Sequence, residues 1–515
     1  MLQILSRGIQ RQQGKESSMQ SVRSAGLLSV VLIAFLVSVG VQSTAEAQMA
    51  EKERAARRTK SKDQETAKED KWSDHGDSRL TDEYTPLQLD GFPQRPRPIL
   101  EIGENFLGTG TLSQGFRLPT GAVWQPYFMV FGTARSGLQS FHNASDQISE
   151  WANRFDLFGN LYLTFTERIL VGFRPLDQEG RFTSFLFGPD NQAGGLQTGF
   201  SDELNFDLLT LFFEGDFGEI FPAFDREDKR ALDFGFSVGR QPLSFQEGML
   251  INDNIDAAGI TKINWKSLSS VNFRWTLLYG WNQLNRTNLG RDDNSASLIG
   301  LFTEVDWRKS TVAFDIIYVP AGDLTGDGIY AGLSAVQRLG RYNTSFRVLT
   351  SFPVGNVTLH NSQGTLLFTE FSLTPHGNHN LVYLNGFAGF NNFRSASRDP
   401  AAGGPLGRAG ILFASPGLGR VGTPLSNMAD EVVGGVLGYQ MFFAHTRQQL
   451  IWELAGRYSP DLMNQSAIGS GVRYQLALGR RSVIVIDGFA TYDFPPRLIT
   501  DRVRVGGRLE YMLRL

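Results

Sequence analysis

The chain closes on Arg502-Val503-Arg504-Val505-Gly506-Gly507-Arg508-Leu509-Glu510-Tyr511-Met512-Leu513-Arg514-Leu515. Odd positions carry Val503, Val505, Leu509, Tyr511, Leu513 and Leu515; even positions carry Arg502, Arg504, Arg508, Glu510 and Arg514, with Met512 the single apolar intruder. Successive side chains of a β-strand point to opposite faces, so this pattern predicts a strand with one apolar and one charged face. It ends flush with the sequence, so it is not expected to be a connector to anything further on.

The same alternation recurs upstream. Val271, Phe273, Trp275, Leu277, Tyr279 and Trp281 oppose Asn272, Arg274, Thr276 and Asn282, and Val472, Tyr474, Leu476 and Leu478 oppose Arg473, Gln475 and Ala477. About eighteen strands can be drawn from Val123 onward, with about sixteen the other plausible even number. Tight turns are predicted at Arg168, 266–270, 308–310, 340–342, 375–378, 444–447 and 480–481. Longer connections are predicted at 136–150, 177–203, 242–256, 283–296, 320–328, 393–430 and 459–468, with 215–230 the one long connection on the short-turn side. Short turns on one side and long loops on the other is the pattern of outer-membrane barrels, the short side being periplasmic.

Residues 26–41 form an uncharged, mostly apolar run after Arg23, and Ala45-Glu46-Ala47 offers a cleavage site. Residues 1–47 are therefore read as a secretory signal peptide. Residues 48–98 open with a charged stretch lacking an apolar seam and continue through Pro86, Pro93, Pro96 and Pro98. They are expected to form a disordered or transiently helical periplasmic segment, leaving 99–515 for the barrel. Cysteine is absent, which excludes disulfides, thiolate metal sites and cysteine nucleophiles and suits passage through an oxidising periplasm. A formal charge of −3 carries no whole-chain nucleic-acid footprint.

The closing strand resembles the terminal strand of bacterial outer-membrane β-barrels, which usually end in Phe where this chain has Leu515. A barrel of some sixteen to eighteen strands encloses a lumen too wide for side chains to fill, so water and charged groups belong inside. The expected pore lining is Arg274, Glu304, Asp306, Asp315, Glu453, Arg457, Arg473, Arg502, Arg504, Arg508 and Glu510. Trp275, Trp281, Trp307, Trp452, Tyr279, Tyr318, Tyr458 and Tyr511 would form aromatic girdles at the lipid interface. The arginines are candidates for a basic strip facing Glu304, Asp306 and Asp315 across the lumen. Ion pairs that only neutralise lumen charge account for them equally well.

Gly239-Arg240-Gln241-Pro242-Leu243, followed by Gly248 and Asp256, resembles a stretch of the alginate-export family of outer-membrane barrels. That resemblance implies an eighteen-stranded channel for anionic polysaccharide. An alginate channel calls for a cationic lumen, yet from residue 99 onward 34 Lys and Arg stand against 39 Asp and Glu. Gly235, Ser237 and Gly239 leave one face of their strand nearly bare. Loop 242–256 is expected to fold inward as a constriction lined by Gln246, Glu247, Asn252, Asp253 and Asp256, with a bulge or rim position bringing in Arg240. An ordinary extracellular loop is the alternative.

Asp323, Thr325 and Asp327 match the first half of a calcium loop, but the closing position holds Ser334, and a Gly/Asp turn explains the stretch without metal. Six histidines are scattered and none lies in a nucleophile-elbow context. The sequence thus reads as an all-β, transmembrane antiparallel barrel of the outer membrane, without enzymatic activity or cofactor. Its expected role is passive diffusion of polar solutes, with anionic or neutral carbohydrate as the candidate class. Its expected partners are outer-membrane lipid, the barrel-assembly machinery and a polar solute or oligosaccharide, not nucleic acid. A structural or adhesive barrel presenting loop 393–430 outward and a barrel hydrolase are the competing readings.

Overall fold

The computed structural model describes residues 96–103, 115–143, 146–178, 180–187, 198–224, 232–265, 270–286, 292–355, 357–461, 464–494 and 502–515. The stretch expected to be a signal peptide and nearly all of the charged segment fall outside the described residues, as does the side chain of Asp323. Eighteen strands make a closed antiparallel barrel. They are β1 (Tyr127–Asn143), β2 (Asp146–Tyr162), β3 (Arg168–Phe173), β4 (Leu208–Asp216), β5 (Phe234–Phe245), β6 (Ile251–Lys262), β7 (Asn272–Trp281), β8 (Ser297–Asp306) and β9 (Ser310–Val319). They continue with β10 (Asp327–Leu339), β11 (Tyr342–Val354), β12 (Gly364–Leu373), β13 (Leu381–Asn392), β14 (Asp430–Phe443), β15 (Gln448–Tyr458), β16 (Ala467–Leu478), β17 (Ser482–Asp493) and β18 (Val503–Arg514).

Each strand pairs with the next, and β18 returns to β1 with Arg504 opposite Asn143 and Arg514 opposite Thr133. Leu515 and Gly132 exchange backbone hydrogen bonds of 2.9 and 3.2 Å beyond the last pair. Past that point Leu100–Ile102 takes over the edge of β1. Closure satisfies backbone groups that an open edge would leave bare in lipid. Among the described residues no helix is long and apolar enough to cross a membrane.

The faces follow the alternation. Val503, Val505, Leu509 and Tyr511 are 43–49% exposed on the outside of the barrel, whereas Glu510 is 1% exposed inside it. Outer aromatics gather towards strand ends: Tyr279, Trp281, Tyr318 and Tyr458 at the long-loop ends, Trp307 and Tyr511 at the short-turn ends. Arginine on the lipid face costs about 2–4 kcal/mol at mid-membrane. Leu509→Arg should therefore lower the unfolding free energy of the barrel in lipid vesicles by roughly that amount. An unchanged denaturation midpoint would place this face in water.

Two expected connections are strand instead. β1 reaches Asn143 and β2 begins at Asp146, so the expected loop 136–150 belongs to the wall. β5 reaches Phe245 and β6 begins at Ile251, so the expected loop 242–256 shrinks to residues 246–250. Inward-facing Leu243, Ile251 and Ile255 are buried, which favours continued pairing over a solvated loop.

The interior is not simply water. Met249, Leu250 and Ile251 from the β5–β6 hairpin pack with Phe393, Leu406, Leu412, Phe413 and Leu425 from the long connection between β13 and β14, against Tyr330, Leu349, Phe368 and Phe387 of the inner wall. A second inward excursion follows β3. Ser184–Leu186 resumes the pairing with β2, and Phe182 just before it packs on Ala152 and Leu418.

Candidate pore constriction

The β5–β6 tip holds three successive left-handed residues, Gln246 (φ 51°), Glu247 (φ 55°) and Gly248 (φ 78°). Only the glycine adopts that conformation freely, so the other two need fixed anchors. Gln246 Nε2 donates to Asp315 on β9 at 2.7 Å. Glu247 lies 3.0 Å from Arg408 of the long connection and 3.7 Å from Arg347 of β11. Gly332 leaves the floor open, since a Cβ there would stand 2.8 Å from Gln246 Cγ. These contacts put the tip inside the lumen against β9–β11.

The long connection is bolted to that tip. Ser397 and Arg398 run parallel to Ile251 and Asn252. Arg398 donates to the carbonyls of Gly248 and Gly403, and to those of Gly404 (2.9 Å) and Ala402 (3.3 Å). Burial pulls its guanidinium down to about 10, which leaves it charged at neutral pH. Asp253 accepts the Asn285 backbone and side-chain N–H groups at 2.9 and 2.8 Å and the Ser397 hydroxyl.

From there the connection crosses the lumen. Arg408 pairs with Glu370 of β12 at 3.0 Å. Glu453 of β15 accepts the Leu412 N–H (3.3 Å) and the Tyr383 hydroxyl. On the far side Arg135 of β1 donates to Pro416 O at 2.9 Å, Arg154 of β2 to Gly417 O at 3.1 Å and Gln139 to Leu418 O at 3.0 Å. Gly137 and Gly471 make room, because a Cβ at either would lie 2.9 Å from Leu418 or Leu412.

Beneath this bar runs a ladder of charges on the inner wall. Arg473–Asp487 (2.7 Å), Asp487–Arg508 (2.7 Å), Arg508–Glu510 (3.6 Å) and Glu510–Arg135 (2.6 Å) lead across the β18–β1 seam. Arg154–Asp156 (2.8 Å), Asp156–Arg174 (2.7 Å) and Arg174–Asp177 (3.1 Å) continue it past β3. Arg174 also lies 4.0 Å from Asp399 of the long connection, so five guanidiniums stand against five carboxylates.

Of the residues expected to line the pore, Arg473, Arg508 and Glu510 belong to this ladder. Arg504 pairs with Asp493 nearer the long-loop end. Arg502 precedes β18, its carbonyl accepting the Asp493 N–H. Arg457 binds carbonyls of Ser426, Gln465 and Met428, and so holds the connection in place. Arg274 pairs with Glu304 at 2.7 Å; with Asp315 they face inward from β7–β9, half a circumference from β17 and β18. Asp306 accepts from Thr311 (2.6 Å) and Asn272 (3.3 Å).

Of the expected constriction residues, Gln246, Glu247 and Asp253 are in the inward assembly, and Asn252 contributes its carbonyl to Asp399 N–H at 2.8 Å. Arg240 and Asp256 are not. They pair across β5 and β6 on the outer side that carries exposed Leu211, where Asn282 donates to Asp256 at 2.9 Å. The β5–β6 register runs without a shift, so no bulge turns Arg240 inward. Asp327 spends its carboxylate on the Ala321 and Gly322 N–H groups (2.8 and 3.1 Å), and Thr325 donates to Asp293 (2.6 Å). Among the described residues no group of three His, Asp or Glu is placed to hold a metal.

Among solved structures, a BenF-like porin from Pseudomonas fluorescens Pf-5 superposes with a TM-score of 0.51 at 11% identity, covering 75% of this chain and 99% of that one. OccK2 (OpdF) from Pseudomonas aeruginosa gives 0.50 at 11% identity, covering 78% and 100%. This is the porin fold. OccK2 has also been solved in complex with glucuronate. No protein-family model and no curated protein matches the sequence. At this identity the porin likeness rests on the barrel alone, and the interior must be argued from its own residues.

Proposed function

We propose that the protein is an outer-membrane channel for passive diffusion of small polar solutes. The β5–β6 tip and the 393–429 connection set its size limit, and the arginine ladder biases it towards anions. The ladder carries this reading: five guanidiniums on the lumen wall, along the line where the connection narrows the passage. Fixed charges beside a narrow water path select by sign because low-dielectric walls focus their field. Small organic acids, sugar acids included, suit it better than polymers, since the bar occupies the space a polysaccharide would thread. The OccK2 complex with glucuronate is compatible with that class. The alginate-export resemblance rests on residues 239–243 of the wall strand β5, whose arginine faces outward.

The 393–429 connection is turned into the lumen, which removes the outward element that an adhesive reading needs. Outer-membrane lipid and the barrel-assembly machinery remain the partners the exterior implies, with residues 48–98 on the periplasmic side.

Purified protein in planar bilayers under asymmetric KCl should show an anion-favouring reversal potential. Arg154→Gln with Arg508→Gln should reduce the anion-to-cation permeability ratio by roughly threefold or more. A cation preference in the parent, or a ratio unmoved by the substitutions, would remove the ladder from selectivity.

A further inference from the structure

Half a circumference from the ladder, β5–β11 line a half-open niche of about 470 Å³ beneath the β5–β6 tip. That is within the range of small-ligand sites, about 300–1,000 Å³. Its lining differs from the ladder in kind. Thr261, Thr276, Thr311 and Ser334 bring hydroxyls into it, and the Arg274–Glu304 pair sets a donor fork beside an acceptor at 2.7 Å. The stacked rings of Phe245 and Phe302 contribute an apolar patch. Carboxylates of Glu247, Glu304 and Asp315 outnumber guanidiniums of Arg274 and Arg347, so a free anion meets the wrong balance here. Gln246 Oε1, at the margin, is buried without a hydrogen-bond partner.

We propose that this niche is a resting site for an uncharged, sugar-sized polyol, distinct from the anion route along the ladder. Vicinal hydroxyls both donate and accept, as the Arg274–Glu304 pair requires. The C–H face of a sugar ring covers the phenylalanine patch. The proposal rests on the channel reading only in taking the lumen to be water-filled.

Calorimetric titration of the detergent-solubilised full-length barrel with maltose tests it, with gluconate as the anionic comparison. Saturable maltose binding is expected. It should weaken at least about fivefold in Thr276→Val with Glu304→Gln, as loss of one or two hydrogen bonds implies, while gluconate binding changes much less. No maltose binding to the parent, or equal binding to the variant, overturns the niche. A barrel that binds maltose but conducts nothing in bilayers overturns the channel reading and leaves the niche standing. A channel that conducts but does not bind maltose does the reverse.

Discussion

Deleting residues 503–515 is expected to abolish folded barrel in the membrane, read as loss of the heat-modifiable band and of all channel activity. β18 pairs along its whole length with β17, from Tyr492–Val503 to Ser482–Leu513, and with β1 on its other side. Without it two edges face lipid, where each unsatisfied backbone group costs several kcal/mol. The deletion also strips Arg508 and Glu510 from the ladder, leaving Asp487 and Arg135 without their partners across the seam. Leu515 itself acts through its backbone, which pairs with Gly132, so Leu515→Phe should assemble normally. A truncated chain that still forms channels would mean that another strand closes the barrel.

The wall was legible wherever lipid lay on one side and water on the other. Val503 to Leu513 and Val271 to Trp281 alternate because the two solvents differ, and their faces came out as read. The signal fades where the solvents become alike. Around Gln139 and Ser140 of β1 the pattern turns polar on both faces, so strand looked like loop. In the β5–β6 hairpin the reverse holds: Met249, Leu250 and Ile251 are buried against the long connection, and the sequence of a wall turn holds no sign of that partner. Alternation alone had put Arg240 on the outer face, and the unbroken register agrees. In the ladder, Arg473 and Arg508 were visible from their strand faces. Arg135, Arg154 and Arg174 were not: closure of β18 on β1 sets Arg135 beside Glu510, the pairing of β1 with β2 sets Arg154 opposite Arg135, and Asp156 joins Arg154 to Arg174. Arg398 was hidden for a different reason: a guanidinium that holds backbone carbonyls leaves no periodic trace.

Replacing residues 400–424 by a short Gly/Ser linker should raise single-channel conductance by roughly threefold or more, because a fixed obstacle leaves the water path. The bar is held at both ends. Arg408 ties it to Glu370 and Glu247 on one side, and Pro416 to Leu418 are held by Arg135, Arg154 and Gln139 on the other. Its removal exposes Phe387 and Ala455 of the inner wall to water but breaks no strand pairing, so the barrel should persist with modest loss of stability. The β5–β6 tip is a poorer target, because shortening it cuts into paired residues of both strands and takes from Asp315 its Gln246 donor. Gly471→Leu offers an intermediate case. Its side chain would enter the space of Leu412, lifting the connection from β16 without deleting it, and should give a noisier current of intermediate size. If both variants conduct like the parent, the connection does not limit the passage. The ladder beneath it would then have to select ions in an open lumen, where charges of both signs lie within a Debye length of about 10 Å at 0.1 M salt.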